Sequence, residues 1–377
     1  MTEERPLRPL RLLVFASKPQ GLAPGQRFRL EQWAPRTAAR HGIELEFSAF
    51  ESPRLTELLY QPGHKPEKAA WVLYDFARRL AHVASSRLYD AVVVFREIAL
   101  IGPAIYERAL SAARIPMFFD FDDAIWQHSL QTSKANGIFS RLHFYGKTGT
   151  ICRLSRAVLA GNEYLASYAR QHNDNVFVVP TSIELDRYPV QPELPEPSSS
   201  QPFVVAWSGS LHTLQHFEYA REPLERLAQQ RRLTVKVICN KPPERPISGA
   251  ENVFVPWSEA GEAEAVGSAH VGIMPLPDND FTRGKCGLKA LQFMATGRPV
   301  VVSPVGMNSD LVRSGENGFL ASTTEEWVDA LAKLAASTDL RRRLGAAARA
   351  TIEQHYSAEV VSALFARAVR QSLPHRR

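Results

Sequence analysis

The run Gly284-Lys285-Cys286-Gly287-Leu288-Lys289-Ala290-Leu291-Gln292 sets two lysines four residues apart, just after the polar loop Asp278-Asn279-Asp280-Phe281-Thr282-Arg283. At ~100° of rotation per residue, a helix beginning near Gly284 gathers Leu288, Leu291, Met294 and Ala295 on one side. Lys285, Lys289, Gln292 and Thr296 fall on the other. The start of a helix already offers free N–H groups and the positive end of its dipole, so lysines there are poorly placed unless an anion joins them. Phosphate binding is the chemistry this pattern supports; a solvated basic helix face is its equal on this feature alone.

Three carboxylates, Asp120, Asp122 and Asp123, close an apolar strand in Asp120-Phe121-Asp122-Asp123-Ala124. Such a cluster can hold Mg²⁺, act on a hydroxyl, or cap a helix. Contact with a hydroxyl acceptor or sugar is the reading favoured here. Near the N-terminus, Gly25-Gln26-Arg27-Phe28-Arg29 follows the first strand, and Arg27 and Arg29 are expected either to meet a phosphate or to be solvated on a helix. His212 and His216 have the i,i+4 spacing of a metal pair, but no third ligand lies in register, so two exposed imidazoles at a helix start are expected and no metal. Gly146-Lys147-Thr148 lacks the upstream glycine of a P-loop, since Arg141 occupies that position, and no G-x-S-x-G elbow occurs.

The elements that must carry these residues are short β-rich runs separated by helical stretches. Leu12–Ala16, Glu44–Ser48, Ala91–Phe95, Met117–Phe119, Ala157–Ala160 and Val176–Val179 form a first set. Phe203–Trp207, Thr234–Ile238, Asn252–Val255, His270–Met274, Pro299–Ser303 and Gly318–Ala321 form a second. Strands alternating with helices predict parallel sheets covered on both faces. The proline- and serine-rich stretch 189–202 separates the two sets. The fold class is therefore α/β with two Rossmann-like domains, 1–188 and 203–355, and a last helix, 356–377, returning to the first domain. Ligands in such sheets bind beyond the carboxyl ends of the strands, which makes the cleft between facing halves the expected site.

Composition agrees with two ordinary globular domains: 377 residues, 45% hydrophobic and 22% charged. The net charge of +6 comes without a dense Lys/Arg run, which argues against nucleic acid and for phosphate-bearing ligands or an anionic membrane surface. Three dispersed cysteines exclude a disulfide framework and fit a reducing cytoplasm. No apolar run reaches the ~18 residues a membrane span needs.

Taken together, Trp207-Ser208-Gly209-Ser210, the Gly284–Gln292 run, Pro299-Val300-Val301-Val302-Ser303-Pro304-Val305-Gly306 and Gly315-Glu316-Asn317-Gly318-Phe319-Leu320 resemble the GT-B glycosyltransferases of the retaining family 4. Val179-Pro180-Thr181-Ser182-Ile183 resembles that family's interdomain segment, and the likeness covers about the last 200 residues well. The resemblance implies transfer of a sugar from a nucleotide-diphosphate donor to a hydroxyl acceptor, with retention, in assembly of a cell-surface glycan or secondary metabolite. It implies no cofactor and no metal, the nucleotide sugar being substrate. A front-face reaction would need no protein nucleophile, because the departing diphosphate can take the acceptor proton.

The family places one glutamate before the helix and one inside it; Gly284 and Gln292 stand at those positions here. Gln292 can still bond ribose hydroxyls, and Asp278 or Asp280 in the preceding loop can reach the hydroxyls of the sugar. The family's diphosphate-binding Arg and Lys are missing after the first strand of the second domain, so Arg283, Lys285 and Lys289 inherit that role, with backbone N–H groups of Gly209 and Ser210 as additional donors. The absent glutamates also motivate a non-catalytic nucleotide-sugar or partner-binding protein, and more weakly a sugar-nucleotide epimerase.

Overall fold

The computed structural model describes residues 8–59, 61, 63–99, 102–127 and 144–373. The chain divides into two compact units, residues 1–181 with 361–377, and residues 182–360.

The first unit is built on strands β1 (Leu10–Ala16), β2 (Ile43–Ala49), β3 (Ala91–Phe95), β4 (Met117–Phe121), β5 (Ala157–Ala160) and β6 (Val176–Val178). They form a parallel sheet in the order β2-β1-β3-β4-β5-β6. β3 reads Ala-Val-Val-Val-Phe and is buried throughout, as a strand covered on both faces must be. Successive strands run outward in opposite directions from β1 and from β3. The gap between their carboxyl ends is therefore the topological switch point of this unit, where an open α/β sheet leaves a crevice.

The second unit repeats the plan with β7 (Phe203–Ser208), β8 (Leu233–Cys239), β9 (Glu251–Pro256), β10 (Val271–Met274), β11 (Val300–Val302) and β12 (Phe319–Leu320). Their order is β12-β11-β10-β7-β8-β9, which puts the switch point between β7 and β10. Phe203, Val205, Trp207, Val235, Val271 and Ile273 pack with Leu224, Leu227, Leu331 and Leu334 of two covering helices, Arg221–Gln230 and Thr324–Ala336. Each of the twelve strands lies at the place its apolar run predicts, and the differences are one or two residues at the ends.

Two placements differ from the sequence reading. The proline-rich stretch is held inside the second unit: Arg298 and His270 bond the carbonyls of Pro192 and Pro195, and Arg342 pairs with Glu193. It has no hydrogen-bonding ladder of its own, so it is secured by side chains reaching its carbonyls. The helix expected from Gly284 begins at Leu288 instead. Gly287, at φ +67°, adopts the left-handed conformation that glycine tolerates, and this separates the short helix Asp280–Arg283 from the helix Leu288–Ala295. In the first unit, the C-terminal segment packs Phe365 on Trp33 with ring centroids 4.8 Å apart, and Arg156 donates to the Ser372 carbonyl at 2.6 Å.

Candidate functional site

At the switch point of the first unit, Arg96 follows β3 directly. Its guanidinium donates through Nε to Asp122 at 2.7 Å and through Nη2 to Asp123 at 2.7 Å. The Arg96 backbone sits at φ +62°, a region L residues avoid, and its N–H donates to the Asp120 carbonyl at 2.7 Å. Gly25 lies against this group: a Cβ there would fall 2.6 Å from Asp122 Oδ2 and 3.1 Å from Arg96 Nη2, so a larger residue would displace the carboxylate from its place. Two carboxylates, one guanidinium and a glycine loop thus meet beyond the ends of β1, β3 and β4.

Asp120 and Arg29 do not belong to this constellation. The strand continues through Phe121, which turns Asp120 inward to a bidentate pair with Arg29, Nε–Oδ1 3.0 Å and Nη2–Oδ2 2.6 Å, neither side chain having any exposed surface. Arg29 also donates to the Val179 carbonyl. Burial pushes the Asp120 carboxyl up from its ordinary value while Arg29 opposes that shift. Asp120 therefore leaves the acceptor-contact set and Arg29 the phosphate set. Arg27 is buried as well, its guanidinium 4.6 Å from the centre of the Phe28 ring, so neither arginine is the solvated helix residue the alternative reading supposed. Lys147 of the glycine-lysine-threonine run is tied to Glu97 at 2.5 Å and the Ala99 carbonyl at 3.0 Å.

At the switch point of the second unit, Trp207 in β7 is buried, and Lys289 Nζ stands 5.7 Å from its ring centre. Lys285 Nζ lies 4.3 Å over the Phe281 ring. His216 is buried rather than exposed, and its pKa is pushed down to about 4 by burial, then by the charges of Lys289 and Lys285. Both lysines thus act on the buried, neutral His216, and Lys289 stands beside Trp207. Gly287 offers no side-chain cap to the helix that carries Lys289. The positive end of that helix and the two lysines lie on the same part of the chain, a pattern that favours anions in general.

The remaining expected donor residues are arranged differently. Gly209 donates its N–H to the Ile238 carbonyl at 2.9 Å, extending the ladder to β8, and Ser210 donates its own to Thr213 Oγ1 at 3.0 Å in a capping box. Neither backbone N–H is available as an added donor. The need for glycine at 209 is steric, since a Cβ would sit 2.2 Å from the Trp207 ring. Arg283 is paired with Asp278 at 2.7 and 3.1 Å and with Asp280 at 3.5 Å, which neutralises its charge locally. Gly284 turns the chain out of the short helix, donating to the Phe281 carbonyl at 3.2 Å. The glycine loop after β11 brings Gly306 against that same turn, where a Cβ would meet the Arg283 carbonyl at 2.4 Å.

Gln292 is buried and donates through Nε2 to the Tyr188 hydroxyl at 2.9 Å. Tyr188 in turn donates to Glu262 at 2.6 Å, and Trp257 Nε1 donates to the other oxygen of Glu262 at 2.8 Å. The Gln292 amide is thereby fixed with its nitrogen toward Tyr188.

With the geometry in view, the comparisons with known proteins become informative. Residues 202–337 match the family described as glycosyl transferases group 1. The matched stretch contains Trp207, His216, Lys285 and Lys289. A search of curated proteins finds no match to the chain. Among solved structures, sucrose-phosphate synthase from Thermosynechococcus elongatus aligns with a TM-score of 0.67 at 15% identity, over 96% of this chain and 98% of that one. Anabaena HepE in complex with UDP and glucose aligns at 0.66 and 14% identity, over 96% and 100%. The lipopolysaccharide outer core galactosyltransferase WaaB aligns at 0.65 and 14% identity, over 97% and 100%. The fold is the two-domain α/β fold of the GT-B glycosyltransferases.

Arg96, Tyr188 and Glu262 escaped the sequence reading. Arg96 had one signal, a cation placed directly after an all-apolar strand. Tyr188 and Glu262 are 74 residues apart and had none.

Proposed function

We propose that this protein transfers a sugar from a nucleoside-diphosphate donor to a hydroxyl acceptor, with retention, as a family-4-like enzyme. The observation that carries this reading is the grouping of Lys285 and Lys289 around neutral His216 near the start of the helix Leu288–Ala295, within the stretch that matches the glycosyl transferases group 1 family. In this reading the lysines hold the donor diphosphate and offset the charge that develops as the sugar–phosphate bond breaks. The departing phosphate oxygen accepts the acceptor's proton, so no protein nucleophile is required. Gln292, held by Tyr188, serves the ribose, and Asp280 reaches the sugar from the start of the short helix Asp280–Arg283.

Asp122 and Asp123, held by Arg96 beside Gly25, position the acceptor hydroxyl. Arg96 offsets one of the two carboxylate charges, and in this reading the reaction proceeds without a metal or cofactor. The HepE structures contain UDP, UDP with glucose, or UDP-glucose, which makes a UDP-sugar the first donor to try. The setting is cytoplasmic, at a membrane surface, in the building of a cell-surface glycan or secondary metabolite.

Incubating the purified protein with UDP-, GDP-, TDP- and ADP-sugars and following release of the nucleoside diphosphate tests the reading. One donor consumed, by transfer or by slow hydrolysis, is expected. Tight donor binding with no turnover under any acceptor would establish a binding protein in place of an enzyme.

A further inference from the structure

The helix Lys65–Ser85 of the first unit turns Asp75, Arg78 and Arg79 toward the ends of β1 and β2. Asp75 is fully buried and accepts from the Ser52 N–H and hydroxyl, both at 2.9 Å. Arg79 is buried beside it and donates to the Ser48 carbonyl and hydroxyl at 3.0 Å and to the Ala16 carbonyl at 3.1 Å. Arg78 reaches the Phe50 carbonyl at 2.5 Å and Asp75 at 3.0 Å. These side chains bind the carbonyls where β1 and β2 end, so the polar residues of the helix are used internally.

Its outward face is left apolar. Leu73, Tyr74, Ala77, Leu80 and Ala84 follow one another at helical spacing, and Leu88 extends the stripe; Leu73 is 70% exposed, Leu80 60% and Leu88 72%. The helix Ile105–Ala112 lies alongside, its Tyr106 hydroxyl donating to the Phe76 carbonyl at 2.8 Å, and adds the exposed Ile105. A contiguous apolar surface of this kind marks an interaction face.

The charges around it have one sign. Lys65, Arg87, Arg108 and Arg114 are exposed and pair with no carboxylate among the described residues. The acids of these elements are occupied: Asp75 as above, Glu107 buried and accepting the Ile98 N–H, and Glu67 paired with Arg54 at 2.8 Å.

We propose that this face docks on an anionic phospholipid bilayer, its leucines and tyrosine entering the boundary between headgroups and acyl chains while the lysine and arginines meet lipid phosphates. A second copy of the chain would bring like charges together and is disfavoured. The inference deepens the membrane-surface part of the proposed function and does not depend on the sugar chemistry, so UDP binding is followed separately.

The test is co-sedimentation of the full chain with vesicles of phosphatidylcholine alone and of phosphatidylcholine mixed with phosphatidylglycerol, at low and high salt. The native protein is expected to bind the mixed vesicles at least about tenfold more tightly than the neutral ones, and to release at high salt. The double change Leu73→Ser with Leu80→Ser, and separately Arg87→Glu with Arg114→Glu, should each abolish binding while leaving the circular-dichroism melt and UDP affinity unchanged. Should the leucine pair alter the melt, Leu88→Ser provides the independent apolar variant. Equal binding to both vesicle types, full binding by these variants, or dimerisation through this face without vesicle binding would overturn the proposal.

Discussion

Arg29 and Asp120 form a buried bidentate ion pair, with hydrogen bonds of 3.0 and 2.6 Å and no solvent access to either side chain. Removing one partner leaves a bare charge in the interior. Arg29→Ala is therefore expected to lower unfolding free energy by about 3–5 kcal/mol, whereas a ligand contact would leave stability unchanged. Urea titration of the variant checks this; a native midpoint would show that the pair is not structural.

Asp122 and Asp123 share Arg96 at the crevice of the first unit, partly reachable by solvent. Asp122→Asn and Asp123→Asn are expected to cut turnover while leaving donor affinity nearly intact, the pattern of groups that act on the acceptor. Transfer should also survive EDTA. Activity lost to EDTA and restored by Mg²⁺ would make the acidic pair a metal site, and unchanged rates in both variants would reduce it to a structural corner.

The sheet was legible in the sequence because parallel strands buried on both faces read as unbroken apolar runs, as in Ala91–Phe95. The site was legible only in part. Lys285 and Lys289 announced themselves by charge at the expected end of a helix, yet Gly287 moved that end by adopting a left-handed conformation that glycine leaves open in any sequence. Asp120 and Asp122 look alike as letters, and two residues apart they would share a face of a continuing strand; it is the end of β4 at Phe121 that keeps Asp120 in the sheet and frees Asp122 to turn to the crevice. The Gln292–Tyr188–Glu262 chain spans three separate elements and leaves no local pattern.

Gln292 stands at the end of that chain. If its amide serves the ribose, Gln292→Leu weakens donor binding by the worth of one or two hydrogen bonds, ~0.5–1.5 kcal/mol each. Tyr188→Phe should give part of the same loss through misplacement of the amide. Calorimetry with 2′-deoxy and 3′-deoxy donors is decisive: binding to the native protein as tight as the parent's would exclude the ribose role.

His216 and His270 both have pKa values pushed down to about 4, chiefly by burial. Each is neutral in the folded chain while its unfolded counterpart takes up a proton near 6.5, so the unfolded state binds more protons as pH falls. Stability is thus fully present above that value and declines as pH drops toward 4, by on the order of 3 kcal/mol per histidine. His216→Gln should flatten part of the slope in urea midpoints measured across that window; an unchanged slope would count against the buried neutral imidazole. A diphosphate on Lys285 and Lys289 should also raise the His216 pKa, visible in its NMR titration.

Lys285 and Lys289 are expected to hold the diphosphate of a nucleotide donor. The most direct measurement of this is the affinity of UDP and of uridine for the native protein and for Lys285→Ala and Lys289→Ala. The account predicts that each change weakens UDP binding at least about tenfold, as loss of a charge-assisted contact should, while uridine binding moves less than about twofold. Equal losses for both ligands, or UDP binding that ignores both lysines, would contradict it.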